Sequence, residues 1–148
     1  MRMLCLMAVL LLGSQAAFGD DATAAPRTLQ IKITNIEQGS GTLYIAILNA
    51  PENWLKSDAS AKPFRDLTQP VSSTEDVLLS IEDLPPGKYA ISLFQDLDGD
   101  AGLDTNMVGF PKEPFGFSAS MGTFGPPSFE EATIDLSGGS VSVEIALQ

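Results

Sequence analysis

Short segments in which apolar and polar residues alternate, separated by glycine and proline turns, constrain the fold of this chain most. Such alternation places one set of side chains on each face of a β-strand. After residue 19 no stretch keeps the 3.6-residue period of an amphipathic helix, so we predict an all-β domain. The expected form is a single antiparallel β-sandwich with six to seven strands, with a small closed barrel as the alternative. The segments are 29–36, 42–48, 71–73, 76–81, 89–95, 132–136 and 140–147.

Turn residues suggest how these segments connect. The turn at residues 38–41 predicts that the first two strands pair as a hairpin. Residues 49–70 contain three prolines among charged residues, which predicts a long connection with at most a short helical turn. The last two segments flank the turn at residues 137–139, where two glycines follow a serine.

The first nineteen residues have the layout of a secretory signal peptide. Arg2 precedes an apolar run over residues 3–12, and the small residues Ala17 and Gly19 flank a cleavage position before Asp20. The run is about half the ~20 residues that a membrane-spanning helix needs. We therefore expect residues 1–19 to be removed, residues 20–27 to form a disordered leader, and residues 28–148 to form one domain. The mature protein is expected to be periplasmic or secreted, with no membrane span.

Cleavage leaves a chain without cysteine or histidine, because Cys5 lies in the signal and the sequence contains no histidine. This composition excludes disulfides, Cys–His or Ser–His nucleophiles, and zinc held by thiolate or imidazole. Any bound metal must be held by oxygen, which favours calcium, magnesium or manganese. The formal charge of −11 and the scattered lysines and arginines argue against a nucleic-acid partner.

An aspartate-rich loop directly after the segment 89–95 carries the main chemical signal. Carboxylates on alternate residues of a tight, glycine-containing turn can converge on one calcium ion. The spacing resembles the start of an EF-hand loop, but Ala101 replaces the required glycine and Met107 the bidentate glutamate, so we expect a calcium loop within a β-domain instead. A plain solvated turn is the alternative. The predicted ligands are Asp96, Asp98, Asp100 and Asp104, with Asn106 and Glu113 as possible additions.

A second loop is rich in aromatic residues, since five of the eight phenylalanines lie between residues 110 and 129. Alternating phenylalanine, proline and glycine cannot form a helix, which predicts either a buried lid over one end of the domain or an exposed aromatic surface. The candidate binding surface comprises Phe110, Phe115, Phe117 and Phe124.

Four motifs in order resemble a family of exported bacterial proteins, domain of unknown function 2141. They are Leu84-Pro85-Pro86-Gly87-Lys88-Tyr89-Ala90, the acidic loop 96–104, the aromatic run 109–118 and Pro127-Ser128-Phe129-Glu130-Glu131-Ala132. The family has no established activity, so the resemblance implies no function. Its members usually carry a His-Asp pair where this chain has Gln95-Asp96. The Pro-Pro-Gly-Lys-Tyr-Ala turn is similar to that of prealbumin-like domains, which implies a sandwich of the immunoglobulin or prealbumin type.

We therefore expect a non-enzymatic binding or structural module, with calcium fixing the aromatic loop. Its partner is expected to be a protein or a glycan outside the cytoplasm. A carrier of a small apolar ligand, with Trp54 and phenylalanines lining a cavity between the sheets, is the first alternative. A hydrolase using carboxylates among Asp96, Asp98, Asp104 and Glu113 is the second. Carboxylates packed in one loop suit a metal better than an acid–base pair, so we predict no catalysis.

Overall fold

The computed structural model describes residues 27–56 and 62–148, which contain eight strands and one short 3₁₀ helix. The all-β prediction is confirmed, although the strands exceed the six to seven expected. In chain order they are β1 (Leu29–Thr34), β2 (Thr42–Leu48), β3 (Arg65–Pro70), β4 (Val77–Ile81), β5 (Lys88–Asp96), β6 (Phe115–Phe117), β7 (Ile134–Asp135) and β8 (Val141–Ala146), with the helix over Pro51–Asn53.

The strands form two sheets. One has the order β4-β1-β8, and the other has the order β3-β2-β5-β6, with β7 paired to the first residues of β5. All neighbouring strands run antiparallel except β1 and β8, which are parallel with Leu29 opposite Val141. The expected antiparallel arrangement is therefore wrong for this one pair.

The core lies between the two sheets, and the alternating pattern explains its composition. Every second residue of β1, β2 and β5 turns inward, and these side chains join one buried cluster with Ile81, Leu136 and Ile145. Burying each such side chain contributes about 1.5–3 kcal/mol, so the three long strands supply most of the apolar stabilisation. The inward residues of these strands are Leu29, Ile31, Ile33, Leu43, Ile45, Ile47, Tyr89, Ile91 and Leu93.

The predicted hairpin of the first two strands is wrong. β1 pairs with β4 and β8, whereas β2 pairs with β3 and β5 in the other sheet. The connection between them, residues 35–41, crosses from one sheet to the other and buries Ile36 on the way. The final two segments also do not pair, because β7 joins β5 and β8 joins β1.

Two strands lie where the sequence predicted loops. β3 occupies part of the predicted long connection and pairs along β2, with Leu67 opposite Ile45. β6 lies in the aromatic loop and pairs with β5. The short helix at Pro51–Asn53 agrees with the predicted helical turn, whereas residues 71–73 form no strand.

The two sheets meet at β6 and the end of β8. Phe115 and Gln148 exchange two backbone hydrogen bonds, of 3.3 and 3.0 Å between nitrogen and oxygen. Gly116 makes this approach possible, because a Cβ atom there would lie 2.7 Å from Cγ2 of Ile145. This junction fixes the aromatic segment against the chain end.

The predicted signal peptide and most of the leader lie outside the described residues. Within the described part of the chain, no helix is long and apolar enough to cross a membrane.

Candidate functional site

The acidic loop begins at the last residue of β5, where Asp96 pairs with Thr42 of β2. Its side chain is only 2 % exposed. Oδ1 accepts a hydrogen bond from the Gly99 amide at 2.7 Å, and Oδ2 accepts one from the Ala101 amide at 3.0 Å. These donors, the Gly99 amide foremost, hold the pKa of Asp96 below its usual value. Asp96 thus organises the loop as a buried carboxylate.

The next two aspartates shape the turn locally. Oδ1 of Asp98 accepts the Asp100 amide at 3.1 Å, and Oδ1 of Asp100 accepts the Gly102 amide at 2.7 Å. Asx turns of this type are a common use of aspartate in loops. Both residues are exposed.

The chain then makes an excursion and returns with Glu113. The Lys112 amide donates to the Asp104 carbonyl at 2.8 Å, which closes the excursion at its base. Glu113 is 7 % exposed. Its Oε1 accepts the Leu97 amide at 2.8 Å and its Oε2 accepts the Asp104 amide at 3.1 Å. Glu113 therefore fastens the returning chain onto the acidic loop.

Asp96, Asp98 and Glu113 form the carboxylate triad, in which one oxygen from each residue lies within 4.8 Å of the others. The structure brings together two of the four aspartates predicted as ligands, and adds Glu113 from the possible additions. Asp100 and Asp104 lie outside the triad, and Asp104 faces Lys112 at 3.9 Å. Asn106 uses its side-chain oxygen to accept the Val108 and Phe110 amides, both at 3.0 Å.

The triad concentrates negative charge. Among the described residues, no lysine or arginine forms an ion pair with any of its three carboxylates. Backbone amides stabilise the charge of the two buried members, but each carboxylate oxygen has a second lone-pair direction. Hard oxygen donors of this kind suit a divalent cation such as calcium.

Gln95 is a structural residue that the sequence analysis did not identify. It is fully buried, and its Nε2 donates to the carbonyls of Gln38 and Ser40, each at 2.7 Å. These bonds hold the connection between β1 and β2 over the end of β5. Its Oε1 is buried without a hydrogen-bond partner among the described residues. The sequence signals were a polar residue continuing the inward side of an apolar strand and a glutamine where the resembling family usually has histidine.

The predicted aromatic surface divides into buried and exposed parts. Phe115 is buried and contacts Phe117 and Phe110 at ring-centroid distances of 5.7 and 6.1 Å. Phe110 is more than half exposed, and Phe124 is fully exposed. The region therefore contains both buried and exposed aromatic side chains, with Phe117 of intermediate exposure.

Trp54 is half-buried against this region. Its ring lies 5.8 Å from that of Phe117 and 6.0 Å from that of Phe129. Its indole Nε1 donates to the Pro127 carbonyl at 2.8 Å. These contacts engage Trp54 with neighbouring rings and backbone.

An open groove of about 470 Å³ lies beside the triad. Glu113 reaches both features, since it belongs to the triad and to the groove wall. Phe110, Phe115 and Met121 supply apolar wall surface, and Lys112 and the C-terminal Gln148 supply polar groups. A mixed lining of this kind suits an amphipathic ligand or a segment of a partner.

Comparison with known proteins gives one match. The sequence model of a family described as uncharacterised proteins conserved in bacteria (DUF2141) matches residues 31–144. No curated protein and no solved structure matches the chain. The matched range runs from β1 into β8 and includes the triad and the groove's aromatic segment.

Proposed function

The chain belongs to the DUF2141 family of uncharacterised bacterial proteins, and from the geometry of its own site we propose a non-enzymatic binding module that holds a calcium-type cation. The triad would supply the protein's ligands. One observation supports the proposal above the others: Asp96 and Glu113 are buried beside Asp98 without a basic partner among the described residues. Like charges at this separation repel, and a divalent cation would relieve the repulsion.

The cation would also stabilise the neighbouring surface. Calcium takes 6 to 8 oxygen ligands, so backbone carbonyls and water would complete the coordination. Glu113 ties the excursion to the acidic loop and lines the groove. A bound ion would therefore hold the groove wall in one arrangement for a partner, which we infer to be a protein or a glycan.

Thermal unfolding of the mature protein, after chelator treatment and with or without millimolar calcium, tests the cation site. A ligand at a hundredfold excess over Kd stabilises the native state by about 2.7 kcal/mol, which raises Tm by several degrees in a domain of this size. Asp98→Asn should abolish most of the rise, because it removes a triad charge while retaining an oxygen that can accept the Asp100 amide.

Asp135→Asn is the matched control, since Asp135 accepts the Ser137 amide at 2.8 Å in a similar turn outside the triad. Its calcium shift should equal that of the unmodified protein. If calcium leaves Tm unchanged in the unmodified protein, the loop is the plain turn that its own amide hydrogen bonds can sustain. An equal shift in Asp98→Asn would place the ion elsewhere.

A periplasmic or secreted location completes the proposal, on the signal-peptide pattern of residues 1–19. For the fold, the shared core of the two sheets supports a sandwich, and its immunoglobulin or prealbumin type stays a prediction.

The two alternatives differ in their support. A carrier is favoured by the open groove of about 470 Å³. Trp54, however, is not among the residues that line this groove, and it packs against Phe117 and Phe129 instead. A hydrolase needs a carboxylic acid whose pKa is raised toward neutrality. The amides at Asp96 lower its pKa instead, so we favour binding over catalysis.

A further inference from the structure

The excursion between Asp104 and Lys112 ends in an apolar tip, residues 106–110. Met107 is fully exposed, Val108 almost fully exposed, and Phe110 more than half exposed. Side chains on a flat or concave surface keep part of their area against neighbouring atoms. The exposure of Met107 and Val108 therefore describes a convex projection without apolar cover from the described residues.

Internal hydrogen bonds pair four of the five backbone amides of this tip. The Asn106 amide donates to the Phe110 carbonyl at 2.8 Å, and the Gly109 amide donates to the Asn106 carbonyl at 2.9 Å. The Asn106 side chain accepts the Val108 and Phe110 amides. Gly109 takes a φ of 82°, which closes the turn without a Cβ penalty. Four of the tip's amides thus need no water.

That internal pairing matters for the kind of surface the tip can enter. A polar backbone group that loses water without gaining a partner costs several kcal/mol in hydrocarbon. A tip that has already paired four of its five amides loses fewer hydrogen bonds to water when its side chains enter the interfacial region of a bilayer. A bilayer accepts any convex apolar shape, whereas a protein partner must offer a matching pocket.

A neighbouring turn, residues 122–125, also pairs its own backbone and exposes an apolar side chain. Gly122 and Gly125 exchange two backbone hydrogen bonds around a fully exposed Phe124. The two loops adjoin, because Phe110 and Met121 line the same groove. At the base of the excursion, Nζ of Lys112 lies 3.9 Å from Oδ2 of Asp104. The two charges at the base of the tip therefore offset each other.

We propose that the apolar tip inserts into the interfacial region of a lipid bilayer and docks the domain on a membrane surface. The inference goes beyond the cation site and does not depend on it. The net charge of −11 opposes anionic lipids, so without calcium a zwitterionic surface is the preferred one.

Co-sedimentation with phosphatidylcholine vesicles in the presence of EDTA tests the proposal. The mature protein is used, expressed with residues 1–19 and checked by mass for their removal. The triple variant Met107→Ser, Val108→Ser, Phe110→Ser should bind the vesicles with an affinity at least about tenfold lower, because the apolar area available for insertion is lost. Leu78→Ser is the control, since Leu78 is an exposed apolar residue on β4, and binding should be unchanged.

A fluorescence measurement separates insertion from other losses. In a Trp54→Phe background, Val108→Trp should shift its emission to shorter wavelength when vesicles are added, whereas Leu78→Trp should not. Thermal unfolding in solution confirms that each variant is folded.

Two results would overturn the proposal. They are failure of the unmodified protein to bind and equal binding by the triple variant. Stronger binding in EDTA to vesicles that also contain phosphatidylglycerol would overturn the preference for a zwitterionic surface. Capture of a protein by the tip, without vesicle binding, would replace the membrane with a protein partner.

Discussion

Gly41 shows how a single residue can decide whether two backbone segments meet at the candidate site. It lies just before β2, with a φ of 82°, and a Cβ atom there would collide with the backbone carbonyl of Asp96. Its own carbonyl accepts the Val71 amide at 3.0 Å. The end of β5, where the acidic loop begins, can approach this turn only because the side chain is absent.

Gly41→Ala should therefore destabilise the protein by about 3 kcal/mol, from the positive φ and the clash with Asp96 together. Chemical denaturation measures the change. Gly138→Ala is the control, because a Cβ at Gly138 would meet nothing within 4 Å, and it should change the free energy of unfolding by less than about 1 kcal/mol. Similar losses of unfolding free energy in both variants would show that the close approach at Gly41 does not require glycine.

Residue spacing predicted the candidate site only in part. Alternate aspartates indicated the loop, but a local pattern cannot show which carboxylates meet in space. Glu113 joins the triad because the Asp104–Lys112 backbone bond returns the chain to the loop. The amides that donate to the buried carboxylates of Asp96 and Glu113 come from the backbone, and side-chain identity does not reveal them.

At the scale of elements, alternation predicted which side chains face the core but not which strands pair. The inward residues of β1, β2 and β5 form the core as expected. Their pairing depends on long-range contacts, such as Leu29 of β1 opposite both Ile81 and Val141. A short turn between β1 and β2 suggested a hairpin, yet two apolar strands in succession can equally lie in opposite sheets.

The composition of β3 and β6 explains why the sequence did not predict these two strands. β3 has the sequence Arg-Asp-Leu-Thr-Gln-Pro, polar enough to resemble a loop, and it is stabilised by pairing with β2. β6 is only three residues long and contains Gly116. Tertiary pairing outweighs local propensity in both.

Trp54 connects the segment after β2 to β6 and to the loop around Pro127. Trp54→Phe should cost about 1 kcal/mol of stability or somewhat more, because the indole hydrogen bond to the Pro127 carbonyl is lost and the ring is smaller. Thermal unfolding followed by far-ultraviolet circular dichroism measures this, since Trp54 is the only tryptophan. Phe124→Leu, at a fully exposed ring, should leave Tm nearly unchanged. Equal Tm for Trp54→Phe and the unmodified protein would contradict the bracing role.

For the whole molecule, the lack of histidine and the shifted pKa values of a few side chains set the pH range of stability. Backbone hydrogen bonds lower the pKa of Asp96, chiefly from Gly99, and of Glu131, chiefly from Ser128. A hydrogen bond to Asp76 foremost raises the pKa of Lys32, and burial raises the pKa of Tyr89. The first two groups titrate in acid and the last two in alkali. None of these four side chains therefore titrates in the neutral range.

Stability in chelator should therefore be nearly constant from about pH 5 to about pH 9 and should fall on both sides. Carboxylates with a lowered pKa contribute stability that is present above their unfolded pKa of about 4 and is lost as pH falls through the folded value. Lys32 and Tyr89 contribute stability that is present below about pH 10 and is lost as pH rises further. Tm measured against pH tests this directly.

Asp96→Asn should lower Tm at neutral pH and flatten the acid limb, because the unfolded chain then no longer gains a proton that the folded loop excludes. An acid limb of unchanged steepness in Asp96→Asn would assign acid sensitivity to other carboxylates, and a marked slope between pH 6 and 8 would contradict the plateau.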